Sequence, residues 1–288
     1  MVYICIPAYN EERTIGVVLW KIRQVMGEFG RDYQVLVVND GSTDGTGDVM
    51  EPYARIMPLH VRRHERRAGY ARSLEALLRE AVDRAPYPKR DVVVTLQADF
   101  TDEPGDVVSL VKRIEGGADI VTGRVRLVAQ ETPRMVRWSR RGWHWLLRRT
   151  RGGAVEGDPL SGFRAYRVTA LKRALEDLGD RPLVNTEGWA ANAEILRKVA
   201  PYSRRTEAVD VQVRYGRLQR ESRFRPVETS AELLRLIRTG PATVTPPPPA
   251  EAASGAGVDG GSATRGGDGR RRGRGRRRGR AKGPAGSA

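Results

Sequence analysis

The sequence predicts an α/β fold with a mostly parallel central sheet and helices on both of its faces. Short apolar runs such as VYICIPA and DVVVTL alternate with segments whose apolar residues recur at helical spacing. Strands that are apolar on both sides are typical of a parallel sheet that is covered by helices on each face. The most polar turns directly follow these runs, at the edge where open parallel sheets bind ligands.

The first half of the predicted sheet contains three strands. VYICIPA, at residues 2–8, is a continuous apolar run, and residues 14–29 follow it with apolar positions at helical spacing. QVLVVND, at 34–40, is a second buried strand, and the turn GSTDGT after it leads into a helix. LHVRRHE, at 59–65, is predicted as the third strand.

The second half continues the alternation. Residues 70–82 are predicted as a helix because their leucines and alanines share one face. DVVVTL, at 91–96, is a β-branched strand that runs directly into the acidic turn QADFTDEP. A helix over 106–114 and a strand at ADIVTG, residues 118–123, follow.

Composition excludes several classes of protein. The 288 residues contain one cysteine, Cys5, and three histidines, which excludes an intramolecular disulfide, a cysteine-based zinc site and a histidine-rich metal site. No apolar run reaches the roughly 18–20 residues that span a bilayer. The first residues, MVYICIPAYN, lack the charged start and cleavage site of a signal peptide. We therefore expect a cytoplasmic protein without a transmembrane anchor.

The composition changes abruptly near Gly240. Residues 241–288 contain no aromatic residue and read as a proline-rich spacer, a Gly/Ala/Ser stretch and an arginine–glycine block, which predicts a disordered basic tail. Of the net charge of +16, +7 lies in this tail and +9 in residues 1–240. We predict one folded domain at 1–240, which is basic even without the tail.

Three strand ends are unusually polar: PAYNEE, NDGSTDGT and QADFTDEP. One acidic strand end is common in α/β proteins, whereas three at the ligand-binding edge indicate a site. The sequence has no GxGxxG and no GxxxxGK[ST], which argues against a Rossmann dinucleotide site and against a P-loop.

These motifs carry a resemblance. IPAYNEE, VVNDGSTDGT, QAD and the later DPLSGFRAY together resemble the family 2 glycosyltransferases of the GT-A fold, and most of all the dolichyl-phosphate mannose synthase group. The resemblance runs from residue 2 to about residue 225. It implies that residues 1–240 are a catalytic domain that transfers a sugar from a GDP-mannose or UDP-glucose type of donor to polyprenyl or dolichyl phosphate. The transfer would be one in-line displacement with inversion at the anomeric carbon.

The resemblance also implies a donor site. Asp40 would accept a hydrogen bond from a base N–H group, whereas Asp44 is as readily explained by turn and helix-capping chemistry. Arg124, in the segment TGR, would lie near the diphosphate. The residues expected to bind the nucleotide-sugar are Pro7, Ala8, Tyr9, Glu11, Asp40, Gln97, Ala98 and Arg124.

The family keeps an Asp-x-Asp pair after the fourth strand to bind Mg²⁺ or Mn²⁺ on the donor diphosphate. Here Gln97 stands at the first position and Asp99 at the second, so we expect Asp99 to be the main metal ligand and Gln97 to offer a carbonyl oxygen. Asp102 and Glu103 either compensate for the lost carboxylate or simply begin the following helix.

The resemblance places catalytic and acceptor residues later in the chain. Asp158 and Arg164, in the family's D-x-x-SGFR segment, would lie near the acceptor and hold a phosphate, respectively. RLQRESR, at 217–223, resembles the family's R-x-x-G-E-S-K element. A lipid phosphate is already an anion and needs no strong base, whereas a sugar hydroxyl would need one, with Asp158 as the candidate. The expected catalytic residues are Asp99, Asp158, Arg164 and Arg217, with Ser222 and Arg223 on the acceptor side. Glu194 fits a family glutamate or is a surface acid of its helix.

Residues 134–150 place three tryptophans, Trp138, Trp143 and Trp145, among six arginines. Tryptophan beside arginine is typical of a helix that lies on anionic lipid, although the same pattern fits an amphipathic helix packed on the sheet. With the acceptor implied above, it predicts peripheral contact with the inner face of a membrane. It leaves open a membrane partner subunit.

Three alternatives remain from the sequence. The enzyme could use a saccharide acceptor, or Gln97 could mark a degenerate protein that binds a nucleotide without turnover. The arginine-rich tail could bind nucleic acid or anionic lipid. The tail has no aromatic residues for base stacking, so nucleic acid is the less favoured partner.

Overall fold

The computed structural model describes residues 1–127, 157–213 and 226–238. These residues form one mixed sheet with helices between its strands. The strands are β1 (Val2–Ala8), β2 (Tyr33–Asn39), β3 (Leu59–Arg63), β4 (Val92–Thr95), β5 (Ile120–Leu127), β6 (Arg164–Arg167) and β7 (Thr206–Val213). The helices are α1 (Ile15–Phe29), α2 (Thr46–Ala54), α3 (Tyr70–Arg84), α4 (Asp106–Glu115), α5 (Val168–Leu178), α6 (Ala190–Val199) and α7 (Pro226–Arg238). The predicted elements are all present, with ends that differ by a few residues.

The strand order is β3-β2-β1-β4-β6-β5-β7. β1 pairs in parallel with β2 and β4, β2 with β3, and β5 with β7. The exception is β6, which runs antiparallel to both of its neighbours. The prediction of a mostly parallel sheet is therefore confirmed, and β6 and β7 are strands that the sequence analysis did not predict.

Alternation along the central strands divides the core into two layers. In β1, Ile4 and Ile6 face the layer that α1 and α4 cover, whereas Tyr3 and Cys5 face the layer of α3, α5 and α6. All four of these side chains are at most 1 % exposed. Because successive side chains of a strand point to opposite faces, a run that is apolar throughout needs helices on both sides.

The direction of β6 matters for the site. Arg164, its first residue, pairs with Thr95 at the carboxyl end of β4 and with Thr122 on β5. The chain that leads into β6 therefore arrives at the same edge of the sheet as the predicted strand-end loops. None of the helices within the described ranges is both long and apolar enough to cross a membrane.

The two-layer core makes a prediction about stability. Ile4 is fully buried and its strand is paired on both sides, so Ile4→Ala is expected to lower the free energy of unfolding by about 2–5 kcal/mol through lost burial and a residual cavity. Val17 on α1 is 49 % exposed, and Val17→Ala is expected to change it by no more than about 0.5 kcal/mol. Urea unfolding of both variants measures the difference, and equal losses would contradict this description of the core.

Candidate functional site

The loops after β1 and β2 are hydrogen-bonded to each other at the carboxyl edge of the sheet. The backbone N–H of Asn10 donates to Ser42 Oγ at 2.9 Å, and the N–H of Glu11 donates to Thr46 Oγ1 at 2.8 Å. In return, the N–H of Thr43 donates to Asn10 Oδ1 at 2.8 Å. The structure thus brings together the PAYNEE and NDGSTDGT segments, as the strand-end pattern predicts.

In the first loop, two of the predicted donor-site residues contact other parts of the protein. Glu11 is 6 % exposed, and its Oε2 accepts a hydrogen bond from Thr14 Oγ1 at 2.8 Å. Its carbonyl oxygen accepts the N–H groups of Thr14 and Ile15, where α1 begins. The Tyr9 ring is partly exposed and lies under the guanidinium of Arg67, 4.3 Å from the ring centroid. Pro7 and Ala8 are the last residues of β1.

Asp40, directly after β2, holds the segment 64–69. Its Oδ1 accepts the N–H of Ala68 and lies 2.8 Å from His64 Nδ1, and its Oδ2 accepts the N–H of Gly69 at 2.8 Å. The carboxyl group is 3 % exposed. These contacts, together with the nearby Ser73 hydroxyl, occupy most of the acceptor positions of the carboxylate.

Hydrogen bonding outweighs burial at Asp40. Burial by itself raises the pKa of this carboxyl group, but the bonds from His64 and from the amides of Ala68 and Gly69 lower it below its ordinary value. The same balance lowers the pKa of Asp44, which accepts the N–H of Thr46 at the start of α2. Asp44 therefore makes the turn contact that its sequence predicts, directly before Gly45, the N-cap residue of α2.

The turn after β4 contains the predicted metal ligands. Asp99 Oδ1 accepts the N–H of Thr101 at 3.0 Å and the Thr101 hydroxyl at 2.6 Å. Phe100 between them has a φ of 60°, a conformation that is uncommon for a bulky side chain and is found at functional turns. Asp102 is 3 % exposed, and its Oδ2 accepts the N–H of Gln97, so this carboxylate helps to build the turn.

The donor atoms of this turn fit a hard divalent cation. Gln97 and Asp99 are partly exposed, and together they offer an amide oxygen and a carboxylate. Within the residues described, no group of three His, Cys, Asp or Glu side chains could form a metal cage. Mg²⁺ is normally bound through one or two protein carboxylates plus substrate phosphates and water, so a cage is not required.

Arg164 is the largest fully buried residue of the described chain and is 1 % exposed. Its guanidinium donates to the backbone carbonyl oxygens of Asp158, Pro159 and Asn192. This geometry differs from the predicted contact with a substrate phosphate, since the side chain would have to leave three carbonyl acceptors to make it. Arg164 instead shapes the segment that contains Asp158, whose Oδ1 accepts the N–H of Leu160 at 2.8 Å.

Tyr70 and Asn192 complete this segment, and the sequence analysis missed both. The Tyr70 hydroxyl donates to Asn192 Oδ1 at 2.9 Å, and Asn192 Nδ2 donates to the Leu160 carbonyl at 3.2 Å. The glycine of SGFR explains the fit, because a Cβ atom on Gly162 would lie 2.8 Å from the Tyr70 hydroxyl. The glycine of SGFR was the one available sign of a close contact at this position, but nothing in the sequence identifies Tyr70 as the residue that makes it.

The remaining predicted residues have different environments, and Ala98 between Gln97 and Asp99 is 3 % exposed. Arg124 is exposed on β5, 3.5 Å from Asp210 of β7, and its predicted contact with the diphosphate stays a prediction. Glu194 is 2 % exposed and accepts the N–H groups of Asn185 and Thr186. Burial raises the pKa of Glu194, but Lys198 and these amides lower it below its usual value. The alternative of a surface acid at Glu194 is wrong.

Other predicted residues lie outside the described ranges. They are Trp138, Trp143 and Trp145 of the predicted membrane-facing segment, and Arg217, Ser222 and Arg223 of the acceptor element. The tail at 241–288 also lies outside them. The predictions for these segments stay predictions.

Comparisons with known proteins agree on one family. A family model described as Glycosyl transferase family 2 matches residues 3–179, which is more than half of the chain. An undecaprenyl-phosphate mannosyltransferase of Micrococcus luteus is 29 % identical over 212 residues, covering 72 % of this chain and 80 % of the relative. An undecaprenyl-phosphate 4-deoxy-4-formamido-L-arabinose transferase of Pseudomonas fluorescens is 30 % identical over 176 residues, covering 60 % of this chain and 49 % of the relative. The chain thus spans about half the length of this second relative.

Solved structures confirm the GT-A fold. Glucosyl-3-phosphoglycerate synthase of Mycobacterium tuberculosis, crystallised with Mn²⁺, UDP and glucosyl-3-phosphoglycerate, aligns with a TM-score of 0.53 at 20 % identity, covering 83 % of this chain and 77 % of that one. Residues 1–349 of TarS from S. aureus, with UDP-GlcNAc, align with a TM-score of 0.53 at 16 % identity, covering 83 % and 65 %. At these identities the likeness shows the shared fold alone.

The contacts of Asp40 predict how stability depends on pH. Because its pKa is lower in the folded protein, the charged carboxylate stabilises the fold above the ordinary value of 3.8, and this contribution is lost as the pH falls through the lower folded value. The stability deficit caused by Asp40→Asn should therefore be constant above about pH 5 and shrink below about pH 4. Denaturant unfolding of the parent protein and of Asp40→Asn across pH measures the deficit. Both proteins carry His64→Gln, so that protonation of this imidazole does not contribute to the difference.

Exposed Asp32 provides the matched control for that series. Asp32→Asn is expected to change the free energy of unfolding by less than about 0.5 kcal/mol. A deficit for Asp40→Asn that stays constant down to pH 2 would show that the carboxylate does not stabilise the fold through its charge.

The contact between Gly162 and Tyr70 predicts a rescue. Gly162→Ala should destabilise the protein, because the new methyl group would lie 2.8 Å from the Tyr70 hydroxyl. Tyr70→Phe alone should cost about 1 kcal/mol for the lost buried hydrogen bond to Asn192. In the Tyr70→Phe background, Gly162→Ala should cost less than it does in the parent protein. Thermal unfolding of all four proteins measures this coupling, and strictly additive losses would show that the hydroxyl is not the obstacle.

Proposed function

Because the chain belongs to glycosyl transferase family 2, we propose that it transfers a sugar from a nucleotide-diphosphate sugar to a polyprenyl phosphate. The observation that carries this proposal is the similarity, over 72 % of the chain, to an undecaprenyl-phosphate mannosyltransferase. The arabinose-type transferases share the undecaprenyl-phosphate acceptor with that relative and differ in the sugar. The comparisons therefore support the acceptor class more strongly than the sugar, and both GDP-mannose and UDP-glucose types of donor stay in the proposal.

The donor would bind at the edge formed by the first three loops. Two of these loops are hydrogen-bonded to each other, and Asp40 directly follows β2 at the same edge of the sheet. Tyr9 offers a partly exposed ring, and Glu11 lies nearby with a carboxylate that Thr14 holds at the start of α1. This arrangement supports the proposed nucleotide-binding role of Pro7, Ala8, Tyr9, Glu11 and Asp40.

Asp99, with Gln97, would hold Mg²⁺ or Mn²⁺ on the donor diphosphate. A bound divalent cation supplies Lewis-acid stabilisation of the negative charge that develops on the departing nucleoside diphosphate. Thr101 orients Asp99 through two hydrogen bonds to Oδ1, and Asp102 fixes the backbone at Gln97. These contacts hold the turn in one conformation, which reduces the reorganisation needed when the donor binds.

Transfer to a lipid phosphate requires little acid–base chemistry. A phosphate oxygen of the acceptor would form a bond to the anomeric carbon while the bond from that carbon to the diphosphate breaks, which inverts its configuration. The acceptor is already an anion at neutral pH, so positioning and electrostatic stabilisation would provide most of the catalysis.

We place the acceptor on the side of Asp158, where Arg164 and Asn192 hold the segment that leads into β6. The tryptophans of 134–150 and the basic tail would bind an anionic membrane, each basic residue near the surface contributing about 1 kcal/mol. We propose peripheral contact with the inner face of the membrane. The comparisons do not support a membrane partner subunit, and we do not propose one.

A transfer assay tests the proposal. The full chain is incubated with GDP- and UDP-sugars, Mg²⁺ or Mn²⁺, and undecaprenyl phosphate in detergent. We expect a glycosylated lipid that requires the lipid phosphate, and we expect Asp99→Asn to lower the rate by about 100-fold or more, as other losses of leaving-group stabilisation do. Asp48→Asn provides the control, because Asp48 is an exposed carboxylate in the first turn of α2.

Two results would contradict the proposal. Nucleotide binding without transfer to any acceptor would favour the binding-only alternative that Gln97 raises. Transfer to a saccharide but not to the lipid phosphate would replace the acceptor class and give Asp158 the role of base.

A further inference from the structure

Two residues at the end of β2 hold the segment 64–69: Asn39 through its backbone carbonyl and Asp40 through its side chain. The N–H of His64 donates to the Asn39 carbonyl at 2.9 Å, and the three contacts of Asp40 hold His64, Ala68 and Gly69. The fit is close, since a Cβ atom on Gly41, which has a φ of +66°, would lie 2.7 Å from the Arg67 backbone nitrogen. Contacts at His64 on one side and at Ala68 and Gly69 on the other therefore fix the backbone of Arg67.

The side chain of Arg67 extends from this segment across to the first loop. Its guanidinium lies 4.3 Å from the centroid of the Tyr9 ring. The residue is exposed, and no carboxylate of the described chain forms an ion pair with it. Such stacking occupies the face of the guanidinium and leaves the N–H groups at its edges to bind a ligand.

The charge around Arg67 favours an anionic or oxygen-rich ligand. Arg66 directly precedes it and Arg63 lies four residues earlier, in a mostly exposed segment where Glu65 is the one acid. A guanidinium presents five donors and no acceptor, so its partner must supply acceptor oxygens or nitrogens. A nucleoside diphosphate supplies acceptor nitrogens and oxygens on the edge of its base and acceptor oxygens on its phosphates.

From this geometry we infer that Arg67 is a binding residue for the nucleoside diphosphate of the donor, held in place on Tyr9 by the contacts of Asp40. The inference rests on the proposed function, because it takes the donor to bind at this edge. Asp40 would then also position the Arg67 guanidinium, in addition to any direct contact of its own with the base. A lysine could not replace Arg67 fully, because its point charge lacks the planar fork.

Direct binding measurements test the inference. The full chain and its Arg67→Ala, Arg67→Lys and Arg66→Ala variants are titrated calorimetrically with UDP and GDP in the presence of Mg²⁺. We expect Arg67→Ala to weaken binding of the preferred nucleotide about tenfold or more, and Arg67→Lys by an intermediate factor. Arg66→Ala removes an exposed neighbouring charge and should change the Kd by no more than about twofold. Because Arg67 is exposed, all variants should unfold at the temperature of the parent protein.

Nucleosides and inorganic pyrophosphate separate the two sources of acceptor atoms. A weaker affinity of Arg67→Ala for uridine or guanosine would assign the contact to the base, and a weaker affinity for pyrophosphate would assign it to the phosphates. Equal affinities of Arg67→Ala and Arg66→Ala for UDP and GDP would overturn the inference alone. A parent protein that binds neither nucleotide would overturn the proposed function together with it.

Discussion

The carboxylate of Asp40 is the contact on which the donor edge depends. It lies at the end of a buried central strand, and it fixes the segment 64–69 through two backbone amides and one imidazole. Without it, an exposed segment rich in arginine would have few contacts to hold it beside the first loop. Tyr70, the first residue of α3, follows directly, so the same anchor also sets where that helix begins. One buried charge thus positions a loop, a helix start and a stacked cation.

The fold was largely predictable because its main signal is local. β1, β2 and β4 are apolar at nearly every position, and such runs bounded by polar turns require burial on both faces. β6 was not predictable in this way. It has four residues, two of them arginines, and its antiparallel direction follows from a long connection and not from its own pattern. The strand-end rule still predicted which loops meet at the carboxyl edge, since it depends on strand direction and not on side-chain contacts.

Side-chain roles at the site were harder to predict because their partners are backbone groups. Arg164 and Glu194 look like surface charges in the sequence, yet both are buried and bind carbonyl oxygens or amide N–H groups. A sequence does not show where the backbone of another segment will pass. The motif DPLSGFRAY marked Arg164 as important, and its family resemblance implied a phosphate as the partner, whereas the structure supplies the carbonyls of its own loop.

The acidic turns of the donor edge raise a question of electrostatic repulsion, because the proposed ligand is itself an anion. Asp40, Asp44 and Asp99 each accept hydrogen bonds from backbone N–H groups, which spread part of the negative charge over fixed dipoles of the protein. The long-range field is then dominated by a chain with 51 basic and 35 acidic residues. The net positive charge would thus attract a diphosphate from a distance. At close range the diphosphate would meet carboxylates whose negative charge is partly offset by the hydrogen bonds that they accept.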